Sequence, residues 1–348
     1  MKFRPKLMAF ALRSSPYRNV EEACRVVIRN FPEVLHAPGL AGQEGPSQGV
    51  GMPCLKVDKE KGGLSFELSG RESELVEFYE RCLSDDLDYF AISPESETTL
   101  YRLAEIFKEK PWPELKLINF SVRGPYTAGF RLKDESGVPA FYNDTLRDVM
   151  VKQLAMTARW RQRKIKELFP NVPTLFYLTE PSLGVYSSAG GTMSWDVIKN
   201  AINEVIEGVE GITGIHCCDN FDWSLLMETN IDFINFDAYH YGYTMSLYTN
   251  ELKKFLERGG MISWGIVPTT GASTGVADIE NENPSSLVER LDQMIQLVVD
   301  RGIDKEMLLE SSWVTPTCGC ATLSVELADR VYAFTKEVSQ RIRKKYFG

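Results

Sequence analysis

Apolar residues along this chain fall into two alternating patterns. The first is a set of short runs: KLMAFAL, DLDYFAIS, LKLINFSV, PTLFYLTE, GITGIHC, IDFINFD, GMISWGIV and MLLESSWVT. Their length and their β-branched and aromatic content predict strands buried on both faces. The second pattern fills the spaces between them. DTLRDVMVKQLAMTARWRQRKIKELF spaces its apolar residues three and four apart, SWDVIKNAINEVIEGVEG does so behind a Ser194 cap, and SSLVERLDQMIQLVVDRG ends at Gly302; these predict helices. Strands alternating with helices make parallel βα units, and eight such strands close a barrel. The expectation is therefore an α/β protein, a single (β/α)8 TIM barrel over residues 1–348. Residues 36–70 break the rhythm and predict an inserted loop with a hairpin, lying over one mouth of the barrel.

Composition narrows the choice of partners. The chain has 348 residues, 43% hydrophobic and 25% charged, as in a soluble globular protein with a sizeable core. Its formal net charge is −9. The basic tail RIRKKYFG reads as a solvated helix end, so nucleic acid is not an expected partner. LMAFAL is too short for a signal peptide or for the roughly 20 apolar residues of a membrane span, and a buried first strand accounts for it. Seven cysteines, an odd number without framework spacing, predict a reduced, cytoplasmic setting in which thiolates are free to bind metal. Cys24, Cys54 and Cys82 read as buried core thiols.

A barrel gathers its active site at the C-terminal ends of its strands. Here those ends read Arg123-Gly124-Pro125, Thr179-Glu180-Pro181, His216-Cys217-Cys218-Asp219, Asp237-Ala238-Tyr239, Pro268-Thr269 and Pro316-Thr317-Cys318-Gly319-Cys320. Side chains two apart on a strand share a face. His216 and Cys218 are therefore expected to point inward and Cys217 toward the helices. Two ligands do not complete a tetrahedral site, and Cys318 or Cys320 can supply a third. Three protein ligands with a fourth position open characterise catalytic zinc.

GIHCCDN, DFINFDAY, GIVPT and TPTCGC together resemble the C-terminal barrel of cobalamin-independent methionine synthase. They are also similar to the corrinoid-dependent thiol methyltransferases related to uroporphyrinogen decarboxylase. The opening LRSSPYRNVEEA, with FPEVLHAPGL after it, resembles the first βα unit of the same group, so the likeness runs along most of the chain. It implies a zinc ion on His216, Cys218 and Cys318. It also implies methyl transfer to a small thiol, homocysteine-like or other. Where methionine synthases carry a glutamate ligand, this chain has Asp237, which can be a shorter ligand, a partner for His216 or a substrate contact. The family's substrate-holding Ile-Gly-Ser falls on Leu12-Arg13-Ser14, which marks Ser14 and the adjacent Ser15 as substrate-binding candidates.

Thr179-Glu180-Pro181 stands where the family has Asp-Glu-Pro. Glu180 is the candidate for orienting a cationic part of the acceptor, against the alternative of a carboxylate at a helix N-terminus. Tyr239, with His240, Tyr241 and Tyr243, lines a pocket or simply packs at the rim. A second, N-terminal barrel that full-length methionine synthases devote to a folate donor is not expected here. That shifts the expected donor to methylcobalamin or another methylated corrinoid, free or on a small corrinoid protein. The competing readings are a metal-free decarboxylase of the uroporphyrinogen type and a non-catalytic barrel that binds corrinoid or zinc.

Overall fold

The computed structural model describes residues 3–42, 52–58, 63–67, 69–110, 112–188, 193–269 and 278–348. Nine strands lie in it: β1 (Val34–His36), β2 (Leu55–Asp58), β3 (Gly63–Phe66), β4 (Leu117–Arg123), β5 (Thr174–Thr179), β6 (Ile212–Cys217), β7 (Phe233–Asp237), β8 (Met261–Val267) and β9 (Ser312–Pro316). Seven of them form one curled parallel sheet in the order β1-β4-β5-β6-β7-β8-β9, surrounded by helices. The N-terminal segment closes the gap between its edges. Leu7 N donates to Ser312 O (2.7 Å), Val314 N to Met8 O (3.0 Å) and Gly39 N to Arg13 O (2.7 Å). Ala9 bridges Val314 and Ser14 bridges Gly39, both in parallel sense. This is the TIM-barrel-like α/β fold expected, with KLMAFAL as an irregular first stave.

One expectation needs correction. DLDYFAIS is not the second strand: Leu87–Phe90 forms a 3-10 turn, and Phe90 packs edge-on against Phe78 in the outer core. The second strand is Val34–His36, inside FPEVLHAP, three residues that are all buried. A run that short has no periodicity to read. The expected insertion at 36–70 does contain a hairpin, with β2 and β3 antiparallel and Leu55 opposite Phe66; residues 43–51, 59–62 and 68 of it lie outside the described residues. Among the helices, Asp144–Leu168 starts at an Asn143 cap that accepts from Leu146 N, Trp195–Ile206 starts at Ser194, and Pro284–Asp300 precedes Gly302 at φ +100°. Among the described residues no helix is long and apolar enough to cross a membrane.

Strand alternation divides the buried residues into two cores. One set packs between sheet and helices. The other fills the barrel floor, where Phe10, Tyr177, Phe233 and Trp313 meet at tilted or edge-to-face angles. Two residues further along each strand the interior turns polar, with Asn119, Ser121, Asn235, Ser263 and Thr315 all buried. The apolar floor carries the packing energy, and the polar layer above it supports the open end.

Gly265 tests this packing. A Cβ there would lie 2.4 Å from Phe236 O and 3.1 Å from Pro316 O, so the backbone of both neighbouring strands would have to shift. Overpacking of this kind costs about 1–3 kcal/mol. Gly265→Ala is expected to lower stability by that amount in urea unfolding, with the m-value unchanged.

Candidate metal centre

The C-terminal end of β6 brings His216 and Cys218 to the interior, as the period of two requires. Cys217 is fully buried and belongs to the core facing the helices. Burial pushes its thiol up to about 12, which suits an inert core cysteine. Cys318 arrives from the turn after β9. The imidazole nitrogen of His216 and the sulfurs of Cys218 and Cys318 all lie within 4.8 Å of one another. A tetrahedral ion with bonds of about 2.0 Å to nitrogen and about 2.3 Å to sulfur needs donors about 3.5–3.8 Å apart, so the three converge on a volume an ion of that size would fill.

The neighbours of His216 fix which nitrogen faces this volume. Its Nδ1 lies 2.5 Å from Asn235 Oδ1. Asn235 Nδ2 donates to Ser263 Oγ and Thr315 Oγ1, both at 2.7 Å. The amide nitrogen is thereby committed to those hydroxyls, and its oxygen can only accept. His216 therefore carries its proton on Nδ1, leaving the Nε2 lone pair bare. Nε2 is buried and has no hydrogen-bond partner among the described residues. An orphaned buried acceptor is costly, and a metal ion would satisfy it. The ligand-bearing imidazole held by a second polar group is the arrangement expected around a metal.

The two thiols are electrostatically unequal. Cys318 is held well below the usual thiol range by the hydrogen bond from Cys218, while Cys218 is pushed up by holding the shared proton and by burial. Gly319 sets the turn that aims Cys318. A Cβ on it would lie 1.8 Å from Ser14 Oγ, so a larger residue would force the Ser14 hydroxyl to turn away. Cys320 N donates to Ser14 O (2.9 Å); the Cys320 side chain is buried and away from the other two sulfurs. Of the two cysteines flanking Gly319, Cys318 joins the cluster.

Other residues singled out in the sequence have different surroundings. Asp237 is not among the clustered donors. Its Oδ1 accepts from His240 N (2.9 Å) and its Oδ2 lies 2.7 Å from His240 Nδ1, while His240 Nε2 reaches Asp278 (3.1 Å). The group behind His216 is Asn235. Glu180 is fully buried, and its two oxygens accept from Tyr126 N (2.9 Å) and Thr127 N (2.7 Å). Burial raises its carboxyl to about 7 against the pull of those bonds. These bonds place Glu180 at the start of the helix Pro125–Arg131. Ser15 Oγ donates to Gly39 O (2.6 Å), and Tyr239 donates to Glu282 (2.7 Å); both are occupied structurally. Ser14 faces a cavity of about 350 Å3 whose wall also includes His216, Cys218 and Cys318.

Sequence reasoning missed Asn235. The signal was present: in DFINFD it is the polar residue in phase with the inward-facing Phe233. It also missed Glu97, a buried carboxylate that receives Arg13 (3.1 Å) and Arg161 beneath the cavity. Those partners lie far apart in the chain.

No family model matches the chain, and no curated protein matches it. Among solved structures it is similar to a B12-independent methionine synthase from Shewanella sp. W3-18-1 in complex with selenomethionine. That match has 14% identity, covers 71% of this chain and 67% of that one, and has a TM-score of 0.48. A B12-independent methionine synthase described as putative, from Listeria monocytogenes, matches at 16% identity over 67% of this chain and 64% of its own, with a TM-score of 0.44. A GH113 beta-mannanase from Alicyclobacillus acidocaldarius matches at 10% identity over 99% and 98%, again at 0.44.

The hydrogen-bond chain behind His216 gives a direct test. Asn235→Leu removes the acceptor on Nδ1 and is expected to weaken zinc binding about 10- to 100-fold in a chelator competition titration. Cys217→Ser is expected to leave that affinity unchanged, because its side chain faces the helices.

Proposed function

We propose that this chain is a zinc-dependent methyltransferase that transfers a methyl group to a small thiol, with a methylated corrinoid as the donor. The observation that supports it most is the donor set itself: one imidazole nitrogen and two thiols converging at the open end of a barrel, beside a cavity. Soft sulfur donors with one imidazole suit zinc over magnesium or calcium. His216, Cys218 and Cys318 would hold the ion, and three protein donors leave one position for a ligand from the cavity. When bound there, zinc would act as a Lewis acid that lowers the pKa of a coordinated thiol. A free thiol, at roughly 8.5, is mostly protonated at neutral pH and a poor nucleophile.

The chain's own residues supply the rest. Asn235, fixed by Ser263 and Thr315, orients the His216 ring and keeps its proton off Nε2. Cys218 and Cys318 share a hydrogen bond that favours the Cys318 thiolate, and both sulfurs must be deprotonated to act as donors. The floor of packed aromatic rings beneath them excludes water from below. A metal-free decarboxylase reading leaves this imidazole and both thiols without a role.

The purified protein is expected to hold about one zinc per chain, since one such donor set occurs among the described residues. Ion uptake should weaken as the pH falls, because the thiols must release protons to bind. Cys318→Ala should abolish zinc retention and thiol-dependent demethylation of methylcobalamin, followed by stopped-flow absorbance, whereas Cys320→Ala should leave both. A zinc-free, folded wild type that demethylates methylcobalamin with no thiol in a broad panel would eliminate the proposal.

A further inference from the structure

The charge of the cavity wall does not match the charge of the protein. The chain carries −9 overall, yet the described residues around the cavity include four arginines, Arg13, Arg123, Arg131 and Arg161, and no aspartate or glutamate. Arg13 and Arg161 share the buried Glu97 behind the wall, which fixes their positions and offsets part of their charge. Arg123 and Arg131 are exposed toward the open side. Guanidinium does not deprotonate in proteins, and its planar fork pairs with carboxylate-like groups through two parallel hydrogen bonds. A zinc ion with two thiolates and an imidazole would be neutral, so it would not offset this field.

Part of the wall is apolar. Leu40, Met52, Leu55, Leu132 and Leu154 line it, three of them from the inserted segment that carries the hairpin. Strand register gives the separation between the two ends. Arg123 pairs with Thr179, and Thr179 pairs with His216, so the Arg123 and His216 backbones are two strand spacings apart, roughly 10 Å. An extended chain advances about 1.2 Å per bond, so six bonds span about 7 Å, a length that side-chain reach brings into register.

Taking the thiol reading above as its basis, we infer that the cavity binds an elongated anionic thiol. Its sulfur is directed to the His216 cluster, its apolar spacer lies along the leucine and methionine wall, and its terminal carboxylate or sulfonate is held by Arg123 and Arg131. The inserted segment thus contributes specificity for length and hydrophobicity. The arginines contribute specificity for charge.

Calorimetric titration of the full-length chain tests this with 6-mercaptohexanoate, 6-mercapto-1-hexanol and 3-mercaptopropionate on zinc-loaded protein. Hexanoate and hexanamide are titrated into metal-free protein. The six-carbon anion is expected to bind at least about tenfold tighter than its neutral counterpart in both states, the scale of one charged hydrogen-bond pair, and tighter than the three-carbon acid. Arg131→Gln and Arg123→Gln should each remove most of that difference, and Arg131→Lys should restore part of it. The Arg131 side chain is exposed, so Arg131→Gln should not move the thermal midpoint. Equal binding of charged and neutral ligands, or a preference that survives both glutamine substitutions, overturns the inference. If zinc binds with no charge preference, the inference alone falls. If zinc does not bind while hexanoate binding depends on the arginines, the anion site stands and the zinc proposal falls.

Discussion

The contact between His216 Nδ1 and Asn235 Oδ1 is the constraint on which the open end of this barrel depends. It joins β6 to β7, and through Ser263 and Thr315 it extends to β8 and β9. The chain of bonds is polar, buried and satisfied at every atom but one, His216 Nε2. Low local dielectric makes such a network rigid when its members are paired and costly when they are not. The network therefore does two jobs with one geometry. It locks four strand ends in register, and it leaves a single lone pair facing the two thiols.

Beneath that layer the floor of the barrel is apolar and aromatic; above it the wall is arginine-rich. This gradient follows from alternation. On β7 the inward positions are Phe233, Asn235 and Asp237; on β9 they are Trp313 and Thr315. Each step of two residues up these strands moves from apolar packing to buried hydrogen bonding. Closure by the N-terminal segment completes the ring, and it also delivers Arg13 and Ser14 to the cavity. The tight approach of Gly319 to Ser14 then places Cys318. Removing the first stave would take one end of the site with it.

Glu97 shows how the charged wall is supported. A carboxylate almost fully buried beneath two guanidinium groups is tolerable only because both partners are present; it is held in the ionised form, with burial opposing and Arg161 and Arg13 prevailing. Losing one partner of such a group is strongly destabilising. The arrangement fixes Arg13 and Arg161 in place.

The sequence alone determined most strands, the long helices, the hairpin within the insertion and the inward phase of His216 and Cys218. Those features rest on local periodicity, which a linear string carries in full. It did not determine the second strand, because Val34–His36 is too short for any period, while DLDYFAIS imitated one and folded as a turn. Spacing left Cys318 and Cys320 as alternatives, between which only the resemblance chose Cys318, and the sequence offered Asp237 rather than Asn235 as a partner for His216. Tertiary structure decided these. Whether a side chain meets a partner a hundred residues away depends on lateral strand register and on one glycine's clearance, and neither is written in the spacing of a single segment.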